Sequence, residues 1–152
     1  MGEYHRTTRE CTLDSMKPVL AEAIRVYIEK YELEGVEESA LMCCETVSTK
    51  QKKRLFGSKT ETILLGVILT PKWLIWAVGE ENERIGVLSA KLGEIQVEDY
   101  EKTEMYKMIQ DTGLNVSGLR TADGICSAFI GLGPEPAALK FRDLLKDAMT
   151  KV

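Results

Sequence analysis

The feature that most constrains the fold is the apolar run ILLGVILTPKWLIWAV, which extends from Ile63 to Val78. A membrane-spanning helix needs about 20 predominantly apolar residues, and a lysine at its centre costs about 3 kcal/mol. This run is shorter, and Lys72 lies in its middle, directly after Pro71. Proline fixes φ and removes a backbone donor, so the four residues from Thr70 to Trp73 predict a turn. Because the flanking segments have strand length and are almost continuously apolar, the run predicts a buried β-hairpin instead of a membrane span.

Length and charge narrow the class of protein. The chain has 152 residues, of which 44% are hydrophobic and 29% charged, and this composition predicts one globular domain that needs no disulfide bonds. The net charge of -4 argues against a general nucleic-acid-binding protein. Residues 1–6 have no apolar run typical of a signal peptide, and Arg6 occupies the position where a myristoylation site requires serine or threonine. We therefore expect a cytoplasmic protein with no nucleic-acid partner.

The N-terminal region has a helical pattern. Apolar residues recur at helical spacing between Val19 and Tyr31, opposed by charged residues. This pattern predicts an amphipathic helix that begins near Asp14 or Ser15 and ends at Gly35. The apolar stripe must cover either another part of this chain or a second copy. We therefore divide the chain into an N-terminal helical extension, residues 1–35, and one globular domain, residues 36–152.

The globular domain consists mainly of segments with strand length and composition. Seven strands are predicted, at residues 40–48, 60–69, 73–79, 85–90, 94–100, 114–119 and 125–132. The short connections between most of them favour an antiparallel meander. The longer connection at residues 101–113 predicts one or two helical turns with Met105, Met108 and Ile109 on their inner face. After two prolines at positions 134 and 136, apolar residues recur at helical spacing and predict a C-terminal amphipathic helix.

Seven antiparallel strands followed by one closing helix resemble the pleckstrin-homology-like (PH-like) superfold, over approximately Val36 to Val152. The most specific local match is LTPKWLIW, Leu69 to Trp76, which resembles the strand–turn–strand signature of bacterial PH-like and GRAM domains. In that turn Pro71 replaces the usual Asn or Asp. The segment GLGPEPAALKFRDLL, Gly131 to Leu145, is similar to the last strand and closing helix of those domains.

The resemblance implies an α+β fold that is mainly antiparallel β: a seven-stranded PH-like barrel closed by a C-terminal helix, with an extra N-terminal helix. It also implies a binding function, because this superfold hosts lipid-binding, peptide-binding and assembly modules. The superfold alone does not select one of these ligands.

The segment KQKKRLFGSK, Lys50 to Lys59, is strongly basic. Its five cations and no acid give it +5, so the other residues must carry -9 to leave the total of -4. The cations are Lys50, Lys52, Lys53, Arg54 and Lys59. The segment lies in the predicted first inter-strand loop, from which many phosphoinositide-binding PH domains coordinate phosphate. Each cation near an anionic leaflet contributes about 1 kcal/mol, and Leu55-Phe56 would add an apolar tip. The alternative is a solvated loop whose charges protect a sheet edge.

The cysteines and the single histidine predict neither a metal site nor a catalytic centre. Cys43 and Cys44 are adjacent in a predicted strand and so point to opposite faces, and no Cys-x-x-Cys spacing is present. Buried, reduced thiols are therefore expected at Cys11, Cys43, Cys44 and Cys126. His5 lies in a terminus that we expect to be frayed, so no imidazole is placed to activate a nucleophile. We assign no catalytic residue, no metal ligand and no cofactor.

Two tryptophans complete the set of candidate functional residues. Trp73 and Trp76 differ by an odd number of positions in one predicted strand, so they face opposite sides of the sheet. One is expected to fill the interior, and the other to lie under the N-terminal helix or in an interface. The candidate interface residues are Val19, Ile24, Tyr27, Tyr31, Trp73 and Trp76.

Three functional hypotheses follow from the sequence. The first is a non-catalytic binding or assembly module that engages a protein partner or forms a homo-oligomer. The second is peripheral binding to anionic lipids, including phosphoinositides, through Lys50 to Lys59. The third is an enzyme of unknown class that uses carboxylates in a cleft.

Overall fold

The computed structural model describes residues 4–55 and 57–152, which form two antiparallel sheets and three α-helices. The first sheet contains β1 (His5–Cys11), β2 (Met42–Arg54), β3 (Gly57–Leu69), β4 (Trp73–Glu80) and β5 (Gly86–Lys91), in that order. The second sheet contains β6 (Gln96–Asp99), β7 (Gly113–Thr121) and β8 (Gly124–Gly131). The helices are α1 (Pro18–Lys30), α2 (Met105–Met108) and α3 (Pro136–Thr150). No helix in the described ranges is long and apolar enough to cross a bilayer.

The apolar run at residues 63–78 forms the predicted hairpin of β3 and β4. Leu69 pairs with Leu74, and the chain reverses through Pro71 and Lys72. The buried side chain of Thr70 holds this turn, because its Oγ1 accepts hydrogen bonds from the N–H groups of Lys72 at 3.1 Å and Trp73 at 2.8 Å. The hairpin is covered on both faces, as its continuous hydrophobicity predicted.

The two faces of the first sheet belong to two separate hydrophobic cores. Cys44 and Trp76 lie in one core, whereas Cys43 is buried in the other and Trp73 packs against it. The predictions that these cysteines and these tryptophans face opposite sides are therefore confirmed. The C-terminal helix α3 inserts the fully buried Phe141 into the first core. The second core lies under α1, which contributes Leu20, Ala21 and Ile24.

The helix α1 is shorter than predicted and approaches the sheet closely. It begins at Pro18, whereas the sequence predicted a start near Asp14 or Ser15. At the helix N-terminus, Glu45 on β2 accepts a 2.9 Å hydrogen bond from the N–H of Lys17. It ends at Lys30, before Gly35. A Cβ on Gly66 of β3 would lie 2.6 Å from the sulfur of Met16, so the absence of a side chain at residue 66 permits this close packing.

Residues 5–11 form the edge strand β1, where we expected a frayed terminus. His5 pairs with Thr49 and Cys11 with Cys43, so β1 lies along β2. The buried residue Thr8 also joins β1 to the segment between β8 and α3, because its Oγ1 accepts a 2.8 Å hydrogen bond from the N–H of Gly133. The N-terminal extension therefore contributes a strand as well as the predicted helix.

The observed fold is α+β and mainly antiparallel, with a C-terminal helix, but the predicted seven-stranded barrel is not confirmed. All seven predicted strands are present as β2 to β8. Strand pairing stops at β5 and restarts at β6, and the chain passes between the two sheets through a short 3-10 turn at Leu92–Glu94. On the opposite side, the partner of β2 is β1 instead of β8. The sheets therefore pack around a shared core without closing into one hydrogen-bonded barrel.

Candidate functional site

The basic segment forms a two-stranded ribbon, where we expected an inter-strand loop. Strands β2 and β3 pair continuously until Arg54 faces Gly57. Their neighbours end earlier, because β1 reaches only Thr49 and β4 reaches only Ile63. Among the strand pairings described for this chain, residues 50–54 and 57–61 therefore pair with each other alone. We call residues 50–61 the basic ribbon.

Four of the five cations lie on the first arm of the basic ribbon and one on the second. In the register, Lys52 is directly opposite Lys59, and Lys50 is opposite Glu61. Leu55 in the turn is 91% exposed, which is unusual for a large apolar side chain. The side chains of Lys52, Lys53 and Arg54, and the whole of the predicted apolar neighbour Phe56, lie outside the described part of the structure. The structure brings the five cations into one paired element that extends past the sheet.

Acidic residues surround the base of the basic ribbon. A surface depression of about 290 Å³ is lined by Lys59 to Thr62 on one side and by the turn from Glu80 to Glu83 on the other. The carboxylates in that turn lower the positive potential near the base. In the strand register, residues 53 and 54 lie nearer the turn than the residues that line this depression.

Tyr4 connects the base of the basic ribbon to the neighbouring elements. The Nζ of Lys50 lies 5.2 Å from the centroid of the Tyr4 ring, and the Tyr4 hydroxyl donates a 3.3 Å hydrogen bond to Glu61. Partial burial and the nearby Glu61 carboxylate raise the pKa of Tyr4 above its usual value. Tyr4 also lines a depression of about 160 Å³ together with Tyr106 and Gln110, which belong to the connection between β6 and β7.

Arg6 stabilises the contact between Tyr4 and the connection that leads into β7. Its guanidinium donates two 2.8 Å hydrogen bonds to the carboxylate of Asp111 and one 2.6 Å hydrogen bond to Ser48. It also lies 4.7 Å from the Tyr4 ring centroid and 5.3 Å from that of Phe129. The Arg6 side chain is only 8% exposed, so it acts as a structural link between β1 and the segment that enters β7.

The connection between β6 and β7 exposes apolar residues that we expected to be buried. Met105 is 52% exposed, Met108 78% and Ile109 54%, so the prediction that they form the inner face is wrong. The inner face is formed by Tyr106, whose ring packs edge-on against the buried Tyr100 at 6.2 Å. Met105 and Met108 lie three positions apart on α2, and Ile109 follows the helix in extended backbone. We call them the methionine face.

The residues proposed for a protein interface are divided between the core and the surface. Ile24 and Trp76 are buried within this chain, which removes them from any contact with a partner in this conformation. Tyr27 is partly buried, and its hydroxyl forms a 2.6 Å hydrogen bond with Ser89. Trp73 is also partly buried against the second core. Val19 at 46% and Tyr31 at 54% are exposed, because they lie at the margins of the stripe that α1 buries.

The cysteines do not form a site. All four are free; Cys43 and Cys44 are buried, and Cys11 is half-buried, as expected for structural thiols. Cys126 on β8 is exposed, so the prediction of burial is wrong at this position. Burial raises the pKa of Cys43 to about 11 and that of Cys11 to about 12. Over residues 4–55 and 57–152, the structure contains no group of three or more acidic, cysteine or histidine side chains arranged to hold a metal ion.

A cleft of about 470 Å³ beside α3 is lined by three carboxylates, those of Asp99, Glu101 and Asp143. Arg142 binds Asp99 and Glu101 at 2.8 Å, and Lys146 binds Asp99 at 2.8 Å. Burial alone would raise the pKa of Asp99, but the hydrogen bonds from Lys146 and Arg142 outweigh it and lower that pKa to about 2. Asp99 is therefore ionised near neutral pH and is unsuited to act as a general acid.

Comparisons with models of protein families, with curated proteins and with solved structures give no match for this chain. Its candidate site must therefore be judged from its own geometry. The sequence identified the cations of the basic ribbon but missed the parts played by Tyr4, Arg6 and the methionine face. An i, i+3, i+4 spacing was visible for the last of these, although spacing alone does not show which face of a helix is buried.

Proposed function

We propose that this chain is a non-catalytic PH-like binding module that attaches to anionic membrane surfaces through the basic ribbon. The order of β2 to β8 followed by α3 supports the PH-like assignment, because it reproduces seven antiparallel strands and a closing helix. The observation that carries the functional proposal is the geometry of the basic ribbon. It projects beyond both neighbouring strands, carries five cations between Lys50 and Lys59, and exposes Leu55 at its turn.

Electrostatics favours a contact through the tip. A Lys or Arg close to an anionic leaflet contributes about 1 kcal/mol, and this contribution decays within a Debye length of about 8 Å at physiological salt. The cations must therefore come close to the lipid headgroups. The acids of the Glu80–Glu83 turn lie near the base of the basic ribbon. An approach with Leu55 foremost brings the cations to the surface while those acids stay farther away.

Leu55 favours a membrane over a nucleic acid as the anionic partner. An exposed leucine at the tip loses nothing and gains apolar burial if it enters the boundary between headgroups and acyl chains. A phosphate backbone offers cations the same charge but offers leucine no equivalent apolar environment. The proposed ligand is therefore an anionic lipid surface, with phosphatidylserine and phosphoinositides as the test lipids.

Co-sedimentation with vesicles tests this proposal. Wild-type protein is mixed with vesicles of phosphatidylcholine alone, or of phosphatidylcholine with phosphatidylserine or a phosphoinositide, at low and at physiological salt. We expect binding only to the anionic vesicles, weakened by salt and reduced about 100-fold or more by the triple variant Lys52→Glu, Lys53→Glu, Arg54→Glu, since each position loses at least about 1 kcal/mol. The matched control reverses Lys30, Lys140 and Lys151, which are exposed cations on other elements.

The control separates a local contact from a general effect of net charge. Equal loss in both triple variants would contradict a contact through the basic ribbon. Binding to duplex DNA or RNA in place of vesicles would assign the cations to a nucleic acid. Failure of the wild type to bind any anionic vesicle would end the lipid proposal.

A protein interface is the second candidate function. The edge position of β5 favours it, because the order of the described strands leaves one side of β5 without a strand partner in the first sheet. The exposed residues Val19, Val26 and Tyr31 on and after α1 offer apolar contacts. The proposed partner is a second copy of this chain, and light scattering over a wide range of concentrations tests it. A monomer at every concentration would exclude this homo-oligomer.

A further inference from the structure

We propose that Cys11 and Cys43 are an oxidation site, at which thiol–disulfide exchange with a small disulfide joins β1 to β2 by a covalent bond. Both thiols are free in this structure. The modification is separate from lipid binding, because neither cysteine belongs to the basic ribbon.

The two cysteines are direct neighbours across β1 and β2. Cys11 is the last residue of β1, and Cys43 is its register partner on β2. Directly opposed residues in an antiparallel pair have Cα atoms about 4.5 to 5.5 Å apart, which falls within the span of about 4.4 to 6.8 Å found for disulfide bonds. Opposed side chains also share one face of the sheet, and here Cys43 is buried in the second core while Cys11 packs against it. The backbone register therefore already meets the Cα requirement for the bond.

Neither of the other two cysteines has a cysteine as a strand partner in the described pairings. Cys44 is opposite Glu10 and lies in the first core, on the other face of the sheet. Cys126 is exposed on β8, in the second sheet. A bond from Cys44 to Cys11 or Cys43 would require one side chain to cross the sheet. The register therefore selects one pair among the four cysteines.

Cys11 gives an oxidant access to the pair. Its side chain is half-buried, whereas Cys43 is only 7% exposed. Both line a surface depression of about 340 Å³. Burial raises the pKa of both thiols, so the thiolate is scarce near neutral pH and the first step is slow there. A small disulfide fits this access, and the exchange should accelerate as pH rises.

The exchange takes place in two steps. The Cys11 thiolate attacks one sulfur of the small disulfide, breaks its S–S bond and expels one thiolate, which leaves a mixed disulfide on Cys11. The Cys43 thiolate then attacks the Cys11 sulfur and expels the second thiolate. The two protons lost by the cysteines are taken up by the two released thiolates. The protein loses two electrons, and the small disulfide gains them.

The new bond closes a covalent loop around α1. The enclosed segment runs from Thr12 to Met42 and contains α1, which buries Leu20 and Ile24 in the second core. A cross-link over such a segment reduces the conformational freedom of the unfolded chain. Oxidation therefore locks the N-terminal extension onto the sheet.

Peptide mapping under non-reducing conditions tests the pairing. Cys126→Ser protein, which lacks the exposed thiol, is incubated with 2-hydroxyethyl disulfide at mildly alkaline pH. Trypsin leaves Cys43 and Cys44 together in the fragment of residues 31–50, so variants must distinguish them. In this background we expect the cross-link between that fragment and the Cys11 fragment in Cys44→Ala, and none in Cys43→Ala.

Thermal unfolding tests the lock. Oxidised Cys126→Ser protein should have a Tm higher than that of the reduced protein by about 5 °C or more. Dithiothreitol should abolish the difference. In the matched control, Cys11→Ser in the same background, treatment with the disulfide should leave Tm unchanged because the loop cannot close.

Three results would each overturn the inference. They are a mixed disulfide on Cys11 that is never resolved by Cys43, a cross-link that persists in Cys43→Ala, and an oxidised protein whose Tm is not raised. Circular dichroism checks that every variant is folded, and Cys11→Ser, at a half-buried position, replaces Cys43→Ala as the negative control if the latter is unfolded. None of these results depends on vesicles, so failure here leaves the proposed function standing.

Discussion

Arg6 and Asp111 form a paired ion contact that joins the first strand to the segment before β7. The Nε and one terminal nitrogen of Arg6 each lie 2.8 Å from a different oxygen of Asp111. The Arg6 side chain is 8% exposed and the Asp111 side chain 23%. Two parallel hydrogen bonds fix the guanidinium more firmly than one would. This contact is therefore expected to hold β1 against the second sheet, since no strand pairing joins the two sheets within residues 4–55 and 57–152.

Asp111→Asn should destabilise the protein strongly. The pair is partly buried, and removal of Asp111 leaves the Arg6 guanidinium, whose side chain is 8% exposed, without its charged partner, which costs about 1 to 3 kcal/mol. Arg6→Met keeps part of the apolar stem and should lower the free energy of unfolding by less than Asp111→Asn does. The double variant should lower it by less than the sum of the two changes, since members of one pair are coupled by about 0.5 to 3 kcal/mol. The free energies of unfolding in urea measure these effects.

The exposed pair between Lys140 and Glu10 is the matched control for that prediction. It also joins β1 to another element, at 2.9 Å, but both side chains are about half exposed. Lys140→Ala should therefore change the free energy of unfolding by less than about 1 kcal/mol. Strictly additive effects of the Arg6 and Asp111 changes would show that the two residues do not act together.

Cysteine reactivity should separate the surface of β8 from the two cores. Cys126 is exposed and should react rapidly with a thiol reagent at mildly alkaline pH. Burial raises the pKa of Cys43 to about 11, that of Cys11 to about 12 and that of Cys44 still further, so these thiols are largely protonated as well as shielded. We expect one fast thiol per chain and none in Cys126→Ser. A second fast thiol in the folded protein would mean that β1 opens readily from β2.

The fold was largely predictable because its strands follow simple hydrophobic patterns. The run from Ile63 to Val78 is apolar on both faces, and two cores cover it. The strand β1 was not predictable in this way. Its inward positions are occupied by Arg6 and the buried Thr8, which bind Asp111 and Gly133 through polar contacts. Such a strand has no apolar alternation, so periodicity cannot identify it.

The candidate site was predictable in composition but not in shape. The charge of Lys50 to Lys59 is visible in the sequence, whereas its form as a ribbon depends on backbone pairing that polar residues do not signal. The methionine face shows a second limit. Met105, Met108 and Ile109 have helical spacing in the sequence, but Tyr106 takes the inward position because it packs on Tyr100. Contacts with the rest of the protein, and not the spacing, decide which residues of this connection are buried.

The ion contacts of Asp99 should make stability depend on pH in acid. The folded pKa of Asp99 is about 2, below the ordinary value of 3.8. Its contribution is therefore complete above about pH 5 and is lost as pH falls from there toward 2, with a size of about 1 to 2 kcal/mol after allowance for solvent screening. The difference in unfolding free energy between wild type and Asp99→Asn, measured in urea from pH 6 to pH 2, should shrink over this range. A difference that stays constant to pH 2 would contradict the lowered pKa.

Shortening the basic ribbon should abolish lipid binding while the fold is kept. Residues 51–60 are replaced by Asn-Gly, which connects Lys50 to Glu61 through a two-residue turn. These two residues are register partners four positions below Arg54 and Gly57, so they form the same type of antiparallel pair and can carry a two-residue turn. The variant retains the contacts of Tyr4 with Lys50 and Glu61. Because the removed ribbon has no third strand to stabilise it, the free energy of unfolding should change by less than about 1 kcal/mol.

Vesicle co-sedimentation should show no binding, whereas a full-length ribbon with only Leu55→Ser should bind more weakly than wild type. Normal vesicle binding by the shortened variant would place the lipid contact elsewhere on the protein.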